Sequence, residues 1–551
     1  MTAGGDRAPG GLSRGYLMVL VTVTGAAVLV LEVLGTRVIG THYGSSLYVW
    51  AALLSVTLVC LAVGYALGGR LADRVPRAWM LHLLVVLAGS AVLLVPPLTA
   101  VLVPLGEALG LTCGAVASAG VIFFAPLTLL AMAGPYVIRL RARRVGAVGS
   151  TSGAVYALST FGSVAGVFAV SFWLIPSVGT RASLLACSGV LMALGGLGLA
   201  LGTRGRAAPV LLLAALPAVV PAGRRRLPGE LYHTESPYGD LRVIEPPGTH
   251  HRMLVVNGIM QTGMPVDMHL LGPGAALKAD SYYLELLPYF HPDLGVGRRG
   301  VLIGLAGGMF PRVMEFYDIH WTAVEIDVKV AELARAYFGY RGRIYDRRGR
   351  PHPVDLSAFP DRALPGDDDR VHRPSGPYRG RAVIEDGRRY LRRHVEAADF
   401  IVLDAYNSDS IPFHLITREF FRLVRRRLTA DGILAINYIG RPRGDAVTDA
   451  LFRTLVDVFG PGSVRAWRTT DDPDDVQVII VFAFRSPMEL LPLWRVGPGG
   501  GADRLSYELS RRRLRIDPPA GPVITDDLNP IDLARARTAI AWRRRTLRYL
   551  R

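Results

Sequence analysis

The fold is decided by a stretch that begins VLIGLAGG at residues 301–308 and ends WTAVEID at residues 321–327. An apolar strand leads into three glycines, a helix follows, and a second strand ends at Glu325. The glycines are Gly304, Gly307 and Gly308. This order is the first half of a nucleotide-binding βαβ unit, in which the backbone approaches the ligand and a carboxylate accepts the ribose hydroxyls. The sequence therefore predicts a site for an adenosine-containing cofactor.

Strands and helices continue to alternate beyond this unit, which is typical of a parallel, Rossmann-like (methyltransferase-type) α/β sheet. Strands are predicted over 300–304, 322–326, 381–384, 400–404, 432–438 and 477–484, and helices over 328–337 and 388–395. Residues 341–378 are rich in Arg, Pro, Asp and Gly, and we predict a surface insertion or disordered loop there. Residues 223–270 alternate polar and apolar side chains between turn signals, which predicts a small subdomain of antiparallel β-hairpins.

The first 222 residues hold most of the long apolar runs of the chain. A membrane-spanning helix needs roughly 20 apolar residues, and several runs reach that length. Spans are predicted over about 16–36, 47–68, 79–103, 112–133, 152–175 and 181–202, with a shorter run at 207–222. We therefore predict that residues 1–222 form an α-helical multi-pass domain in the lipid bilayer of the cell membrane.

The short seventh run, 207–222, decides on which side of the membrane the C-terminal half lies. Arginine-rich loops such as 139–144 place the N-terminus in the cytoplasm by the positive-inside rule. If the seventh run spans, the C-terminal half lies outside the cell; if it lies flat or only dips in, that half stays inside. The run contains three prolines and precedes the arginines 224–226, which weakens a full crossing. A cofactor made in the cytoplasm also favours a cytoplasmic C-terminal domain.

The formal net charge of +17 raises the question of nucleic-acid binding. The basic residues are nearly all arginine, with Lys278 and Lys329 the only lysines, as a G+C-rich genome would produce. Basic and aromatic residues are not interleaved, which argues against nucleic acid as a partner. The three cysteines, Cys60, Cys113 and Cys187, lie in apolar runs and have no metal-ligand spacing, so no metal is predicted.

Nine motifs in the C-terminal half occur in an order that resembles one enzyme family. They read ESPYGDLRV, NGIMQTG, YLELLP, GLAGG, EID, EDG, LDAY, IPFHLITREFF and TDDLNP. This order resembles the spermidine synthase (polyamine aminopropyltransferase) family, and in particular its bacterial branch with a fused membrane region. The resemblance extends loosely to the N-terminal half through LEVLGTRVIGTHYGSSLYVW and GGRLADR. It implies that residues 271–551 form a Rossmann-like aminopropyltransferase domain.

The resemblance implies decarboxylated S-adenosylmethionine as the co-substrate. The residues implied to bind it are Gly304, Gly307, Gly308, Glu325, Glu385, Asp386 and Pro412. Side chains at the glycines would obstruct the close approach of backbone to ligand, although a tight strand-to-helix turn explains them equally. Glu325 would accept both ribose hydroxyls, and Asp386 would meet the adenine amino group unless it is an ordinary turn carboxylate. Asp327 is predicted as a helix N-cap.

Asp404 is the predicted catalytic residue. It ends the apolar run 400–403, and the carboxyl ends of parallel strands form the binding crevice. A carboxylate there can orient an ammonium group, accept its proton and offset developing positive charge.

The resemblance also implies a substrate tunnel lined by Gln261, Tyr283 and Glu285, which suits a diamine such as putrescine. Tyr283 and Glu285 could equally be face residues of a helix that starts near Lys278. His414 is expected to be a solvated loop histidine rather than a proton carrier. Asp526 and Asp527 are expected to cap the last helix or to brace the site, without a catalytic role.

Four positions depart from the pattern of the soluble synthases. An acidic residue of their glycine loop is Gly307 here, the histidine of a Tyr-His-Glu triplet is Leu284, a second acid is Asn407, and a glutamine of the first hairpin is Gly239. Two of the lost groups are carboxylates, so electrostatic recognition of a short diamine should be weaker.

Three functions therefore stay open. The leading one is a membrane-attached aminopropyltransferase that acts on putrescine or a related amine and releases methylthioadenosine. The second is a methyltransferase that uses S-adenosylmethionine, and the third is a non-catalytic polyamine-binding membrane protein. The oligomeric state is not fixed by the sequence, and a homo-oligomer is compatible with each function.

Overall fold

The computed structural model describes residues 14–43, 47–142, 148–203, 226–249, 251–265, 287, 297–314, 318–360, 380–406, 411–487, 511–516, 521–527 and 542. The chain divides into two compact units. The first comprises Met1–Arg225 with Glu235–Gly239, and the second comprises Arg226–Thr234 with Asp240–Arg551. The predicted run 207–222 lies outside the described residues, so its relation to a membrane stays a prediction.

The first unit is helical. Its α-helices are α1 (Arg14–Tyr43), α2 (Leu47–Arg74), α3 (Ala78–Leu93), α4 (Val95–Leu98), α5 (Leu102–Ala131), α6 (Ala133–Arg141), α7 (Val148–Ala169) and α8 (Ile175–Thr203). Five spans within these helices are long and apolar enough to cross a membrane, and a bent pair formed by Ala78–Leu93 and Val95–Gly106 makes a sixth candidate. These six segments correspond to the six longer spans predicted from the sequence.

Glycines let the helices of this unit approach one another closely. A Cβ atom on Gly162 of α7 would lie 2.2 Å from the backbone oxygen of Thr22 in α1. A Cβ atom on Gly64 of α2 would lie 2.5 Å from the backbone oxygen of Thr128 in α5. Small residues at such crossings are what membrane helices use for tight packing.

Most of a four-stranded sheet in the order β1-β2-β3-β4 belongs to the second unit, and the β1–β2 turn, Glu235–Gly239, belongs to the first. The strands are β1 (Glu230–Ser236), β2 (Gly239–Ile244), β3 (His251–Val256) and β4 (Ile259–Pro265). β3 and β4 are antiparallel and meet at Asn257 and Gly258, which both have positive φ, at 50° and 76°. This is the backbone that a two-residue hairpin turn of type I′ requires.

A nine-stranded sheet forms the rest of the second unit, with strand order β13-β11-β12-β10-β9-β5-β6-β8-β7. The strands are β5 (Arg299–Ile303), β6 (His320–Glu325), β7 (Arg343–Asp346), β8 (Arg381–Ile384), β9 (Ala398–Leu403), β10 (Leu428–Gly440), β11 (Val464–Arg468), β12 (Gln477–Phe484) and β13 (Arg513–Leu514). Six neighbouring strands run parallel, in the spatial order β10-β9-β5-β6-β8-β7. The strand β12 pairs antiparallel with β10.

Helices cover both faces of this sheet, as a doubly wound fold requires. They are α9 (Met309–Met314), α10 (Val328–Tyr337), α11 (Gly387–Arg393), α12 (Arg418–Arg427) and α13 (Ala446–Phe459). One buried core joins α11, α12 and α13 to the sheet, and a second joins α9 and α10 to it. A third core joins α10 to the four-stranded sheet. The small sheet therefore shares a hydrophobic core with the larger fold.

The prediction for residues 341–378 was wrong at its beginning. Residues 343–346 form β7, which pairs with β8 at the edge of the large sheet. Two of the four residues in this strand are charged, and a polar edge strand with one buried side chain gives no apolar run to detect. Residues 361–379 lie outside the described part of the chain.

Candidate active site

The candidate site lies at the point where the strand order of the large sheet reverses. The strand β5 pairs with β6 on one side and with β9 on the other. The chain forms β6, β7 and β8 on the first side and then crosses to form β9 on the second. Open α/β sheets bind ligands at such a switch point, outside the carboxyl ends of the strands. Gly304 follows β5 and Asp404 follows β9, which brings the glycine turn and the predicted catalytic carboxylate to the same crevice.

Gly304 can be nothing but glycine in this arrangement. Its φ is +95°, and a Cβ atom would lie 2.3 Å from the backbone oxygen of Asp404. The turn is held on both sides, because Gly304 N–H donates to Val324 O over 2.8 Å and Asp404 N–H donates to Ile303 O over 2.9 Å. The close approach of two backbones at the switch point thus explains the first glycine of the motif.

Gly307 contacts the small sheet. Its backbone N–H donates to Thr262 Oγ1 over 3.0 Å, and a Cβ atom there would lie 2.7 Å from the methyl group of Thr262. The absence of a side chain at Gly307 therefore allows close packing of β4 on the turn. Gln261, the neighbour of Thr262, lies where the β3–β4 register shifts.

Glu325 is a buried carboxylate that ties two loops together. Its Oε2 accepts from Leu305 N–H over 2.9 Å, and its Oε1 accepts from Asp327 N–H over 3.0 Å. Burial raises the pKa of Glu325 to about 7, although these backbone N–H groups favour the ionised form. Each carboxylate oxygen has a second lone pair, so the group keeps acceptor capacity for ribose hydroxyls.

Asp327 is the N-cap of α10, as predicted. Its Oδ1 accepts from Lys329 N–H over 2.9 Å, and the side chain is buried. The cap fixes the first turn of a helix whose apolar face packs on the sheet, so this carboxylate has a structural task.

Glu385 contacts α11 rather than an open crevice. Its Oε1 lies 2.9 Å from Arg393 Nη1 and 3.2 Å from Arg389 Nε, and the side chain is only 2% exposed. This double ion pair holds α11 on the end of β8. It gives the carboxylate a structural task that the sequence did not predict, and the predicted cofactor contact stays a prediction.

Asp386 caps α11 and is hydrogen-bonded to His414. Its Oδ1 accepts from Arg389 N–H over 2.8 Å, and its Oδ2 lies 2.8 Å from His414 Nε2. Burial alone would raise the pKa of Asp386, but the His414 hydrogen bond and the backbone N–H groups hold it below its usual value. The expectation that His414 is simply a solvated loop histidine was therefore wrong, because its imidazole is bound to this carboxylate.

Asp404 is held by a residue that sequence reasoning missed. Asn437, toward the carboxyl end of β10, donates from Nδ2 to Asp404 Oδ1 over 2.7 Å. Tyr406 Oη donates to Asn437 O over 2.7 Å and accepts from Ile439 N–H over 2.9 Å, which fixes β10 against the loop after β9. The signal that could have found Asn437 is a polar side chain that interrupts the apolar run 433–439 in the strand next to the catalytic one.

Other predicted residues are placed only in part. Pro412 precedes the 3₁₀ turn Phe413–Leu415, close in sequence to His414. Tyr283, Glu285 and Asn407 lie outside the described residues. Within the described part of the chain, no group of His, Cys, Asp and Glu is arranged to hold a metal ion.

An open cavity of the second unit lies at the other edge of the sheet. It has a volume of about 340 Å³ and is lined by the amino ends of β5, β6, β8 and β9. Because ligands of this fold bind at the carboxyl ends of the strands, we locate the candidate site by the switch point and not by this cavity.

Taken together, the switch point, the glycine turn and the carboxylates at the ends of β6, β8 and β9 define a Rossmann-like α/β domain, and folds of this class bind their ligands at such a crevice. A probable polyamine aminopropyltransferase from Bifidobacterium longum is 25% identical over 259 residues, which is 46% of this chain and 42% of the relative. A polyamine aminopropyltransferase from Vibrio vulnificus is 31% identical over 166 residues, 29% of this chain and 44% of the relative. The predicted resemblance to polyamine aminopropyltransferases, a family of enzymes, is confirmed.

The chain spans less than half the length of these two relatives. A solved spermidine synthase from Thermotoga maritima is 19% identical, with coverage of 48% of this chain and 75% of that one and a TM-score of 0.32. No family model matches the chain.

Proposed function

We propose that the protein is a membrane-attached polyamine aminopropyltransferase. It would move the aminopropyl group of decarboxylated S-adenosylmethionine to putrescine or a related amine and release methylthioadenosine. The observation that carries the proposal is the position of Asp404, one main-chain hydrogen bond away from the strand that leads into the Gly304 turn, in a chain whose curated relatives are named for this activity.

The chemistry requires a neutral amine nitrogen beside a sulfonium carbon. In the proposed reaction, the amine lone pair forms the new N–C bond while the C–S bond breaks and its electrons remain on sulfur. Asp404 accepts the proton that the ammonium group loses, and its charge offsets the positive charge on the nucleophile. Asn437 contributes by holding Asp404 Oδ1, which fixes the direction of the carboxylate.

Binding of the nucleoside would fall to the other strand ends. Glu325 accepts the ribose hydroxyls, Asp386 accepts from the adenine amino group, and the glycine turn allows the backbone to approach. Gly304, Gly307 and Gly308 line this approach, with Pro412 at its border. Gln261, Tyr283 and Glu285 belong to the proposed amine tunnel.

One assay tests the proposal against the alternatives. The full chain, purified in detergent, is supplied with decarboxylated or ordinary S-adenosylmethionine and a panel of amines, and the products are identified by mass. Methylthioadenosine and a product heavier by an aminopropyl group support the proposal. S-adenosylhomocysteine with a methylated product would show a methyltransferase instead. Binding of both ligands with no product from either cofactor would favour the non-catalytic polyamine-binding protein.

We further propose attachment to the cell membrane with the C-terminal domain on the cytoplasmic side. The five apolar helices of the first unit support the attachment. A reporter fused after Arg551 tests the side: green fluorescent protein should fluoresce there, and alkaline phosphatase should be inactive. Active phosphatase would place the domain outside the cell.

A further inference from the structure

The segment 521–527 is fixed on the second unit by main-chain and side-chain contacts. Ile524 is fully buried, its N–H donates to Thr454 Oγ1 over 2.9 Å, and its carbonyl accepts from Arg418 N–H over 2.8 Å. Asp526 N–H donates to Glu419 Oε2 over 3.0 Å. The segment therefore holds Asp526 at the start of α12, far in sequence from the rest of the candidate site.

Asp526 makes a two-point ion pair with Arg388. Arg388 Nη1 lies 2.7 Å from Asp526 Oδ1, and Nη2 lies 2.6 Å from Oδ2. Thr417 Oγ1 donates to the same Oδ1 over 2.7 Å. Paired N–H···O bonds of this kind fix direction as well as distance, and lysine cannot reproduce them.

Arg388 passes this constraint on to the candidate site. The arginine is 8% exposed, and its Nη1 also donates to the backbone oxygen of His414 over 3.2 Å. His414 Nε2 in turn lies 2.8 Å from Asp386 Oδ2. A chain of polar contacts thus runs from Asp526 through Arg388 and the His414 loop to the carboxylate proposed to meet adenine.

The contacts leave Asp386 with a defined acceptor direction. The N–H of Arg389 occupies one lone pair of Oδ1, and the His414 imidazole occupies one of Oδ2. A carboxylate has about four acceptor positions, and the backbone N–H groups of Arg388 and Arg389 together with the His414 imidazole set the direction of those that remain. Rotation of the carboxylate would break one of these bonds, and the position of His414 depends on Arg388.

We propose that Asp526 is a positioning residue for recognition of the nucleobase. Through Arg388 it fixes the loop that carries His414, and His414 fixes the carboxylate of Asp386 toward a 6-amino group. The inference rests on the proposed function, because only there does Asp386 contact adenine. It assigns to the C-terminal segment a part in choosing adenine over a base with a 6-oxo group, which is an acceptor and cannot donate to a carboxylate.

The test measures binding of 5′-methylthioadenosine and of its 6-oxo (inosine) analogue to the full chain in detergent by titration calorimetry. Asp526→Asn should weaken binding of the adenine compound about tenfold and of the inosine compound less than twofold, so that the preference shrinks. Asp526→Glu should restore most of the preference. Asp527→Asn, the neighbouring exposed carboxylate, serves as the matched control and should change neither affinity.

A second measurement separates this inference from the proposed function. Hydrogen exchange of the backbone at 411–416 should speed up in Asp526→Asn with no ligand present. If the wild-type protein binds neither nucleoside, the proposed function fails. The exchange data alone then decide whether Asp526 fixes the loop that carries His414. An unchanged preference in Asp526→Asn, an equal loss for both compounds, or unchanged exchange overturns the inference. If Asp526→Asn does not fold, Arg388→Lys, which keeps the charge and loses the paired geometry, takes its place.

Discussion

The two ends of the candidate site are built in different ways. Around Gly304 and Glu325, at the nucleoside end, main-chain groups set the geometry: Gly304 approaches the backbone of Asp404, and Glu325 is held by the N–H groups of two loops. At the reacting end, one side chain holds another, since Asp404 takes its orientation from the Asn437 amide. A main-chain frame changes little when surface side chains change, whereas a pair of side chains is altered by one substitution.

This difference gives a reason for the departures from the soluble synthases. The departures expected at Gly307 and Asn407 change side chains, while the strand-turn-strand frame around Gly304 is present in the structure. The features proposed to bind the cofactor are therefore kept in this chain, whereas features proposed to select the amine are changed. A substitution at one end should therefore impair the function of that end and leave the other end unchanged.

The largest effect is expected at the reacting end, from Asp404→Asn. The amide cannot accept the proton of the amine, so kcat should fall by about a thousandfold, within the range for loss of a general base. Affinity for methylthioadenosine should stay within about twofold, because the frame of the nucleoside end is untouched. Rapid-quench product analysis and calorimetry measure the two quantities.

Asp431→Asn is the control for this variant, since it removes one carboxylate from an exposed position near the start of β10. Its kcat should equal that of the wild-type protein. Retention of more than a tenth of the activity in Asp404→Asn would remove this residue from the reaction.

At the nucleoside end, the largest loss of affinity is expected from Gly304→Ala. Alanine there meets both a positive φ of +95° and a contact of 2.3 Å with Asp404 O, so the turn must shift. We expect nucleoside affinity to fall by about a hundredfold, as displacement of a binding group by about 1 Å can produce. Calorimetric titration with methylthioadenosine measures the loss.

Gly349→Ala separates the clash from the backbone strain. Gly349 also has a positive φ, +77°, but a Cβ atom there meets no atom within 4 Å. This control should lose only about 1–2 kcal/mol of stability and bind the nucleoside normally. Equal losses of affinity in the two variants would show that the approach of Gly304 to Asp404 is unimportant.

The frame was the part of the molecule that could be predicted from the sequence. The helix predicted over 328–337 has those bounds in the structure, and all six predicted strands are present within a few residues. Apolar runs predict the buried strands, and the glycine and acidic residues that bound the runs predict where the strands end. The edge strand β7 and the antiparallel strands β11 and β13 were missed, because short strands with charged residues leave no such record.

The contacts among side chains could not be predicted. Asn437 lies 33 residues beyond Asp404, and Asp526 lies 138 residues beyond Arg388, so no local pattern links the partners. The motif EDG did not reveal that Glu385 faces the arginines of α11 while Asp386 faces His414. These pairings depend on how the helices and loops pack on the sheet, which no local sequence pattern specifies.

A smaller effect is expected from Asn437→Ala, which tests the side-chain pair at the reacting end. Loss of the amide frees Asp404 to rotate, so kcat should fall about tenfold while nucleoside affinity is kept. Single-turnover rates with saturating cofactor give the effect on chemistry. Asn437→Asp offers a contrast, because a second carboxylate repels Asp404 where the amide donated to it, and it should lose more activity than alanine. A loss of nucleoside affinity equal to the loss of rate would mean that the two ends are not separate.

The smallest effect is the pH dependence of the nucleoside end, and it follows from Glu325. The folded pKa of about 7 lies above the ordinary value of 4.5, so the folded protein binds this proton more tightly than the unfolded chain does. The contribution of Glu325 to stability is therefore full below about pH 4.5 and is lost as pH rises through about 7.

Binding of the ribose should change in the opposite direction, since only the ionised group can accept from both hydroxyls. Affinity for methylthioadenosine should rise about fivefold between pH 6 and pH 8, and in Glu325→Gln it should be weaker and flat across this range. Titrations at four pH values decide the matter: an affinity of the wild-type protein that is constant, or that falls with pH, would mean that Glu325 does not accept from the ribose as an ionised group.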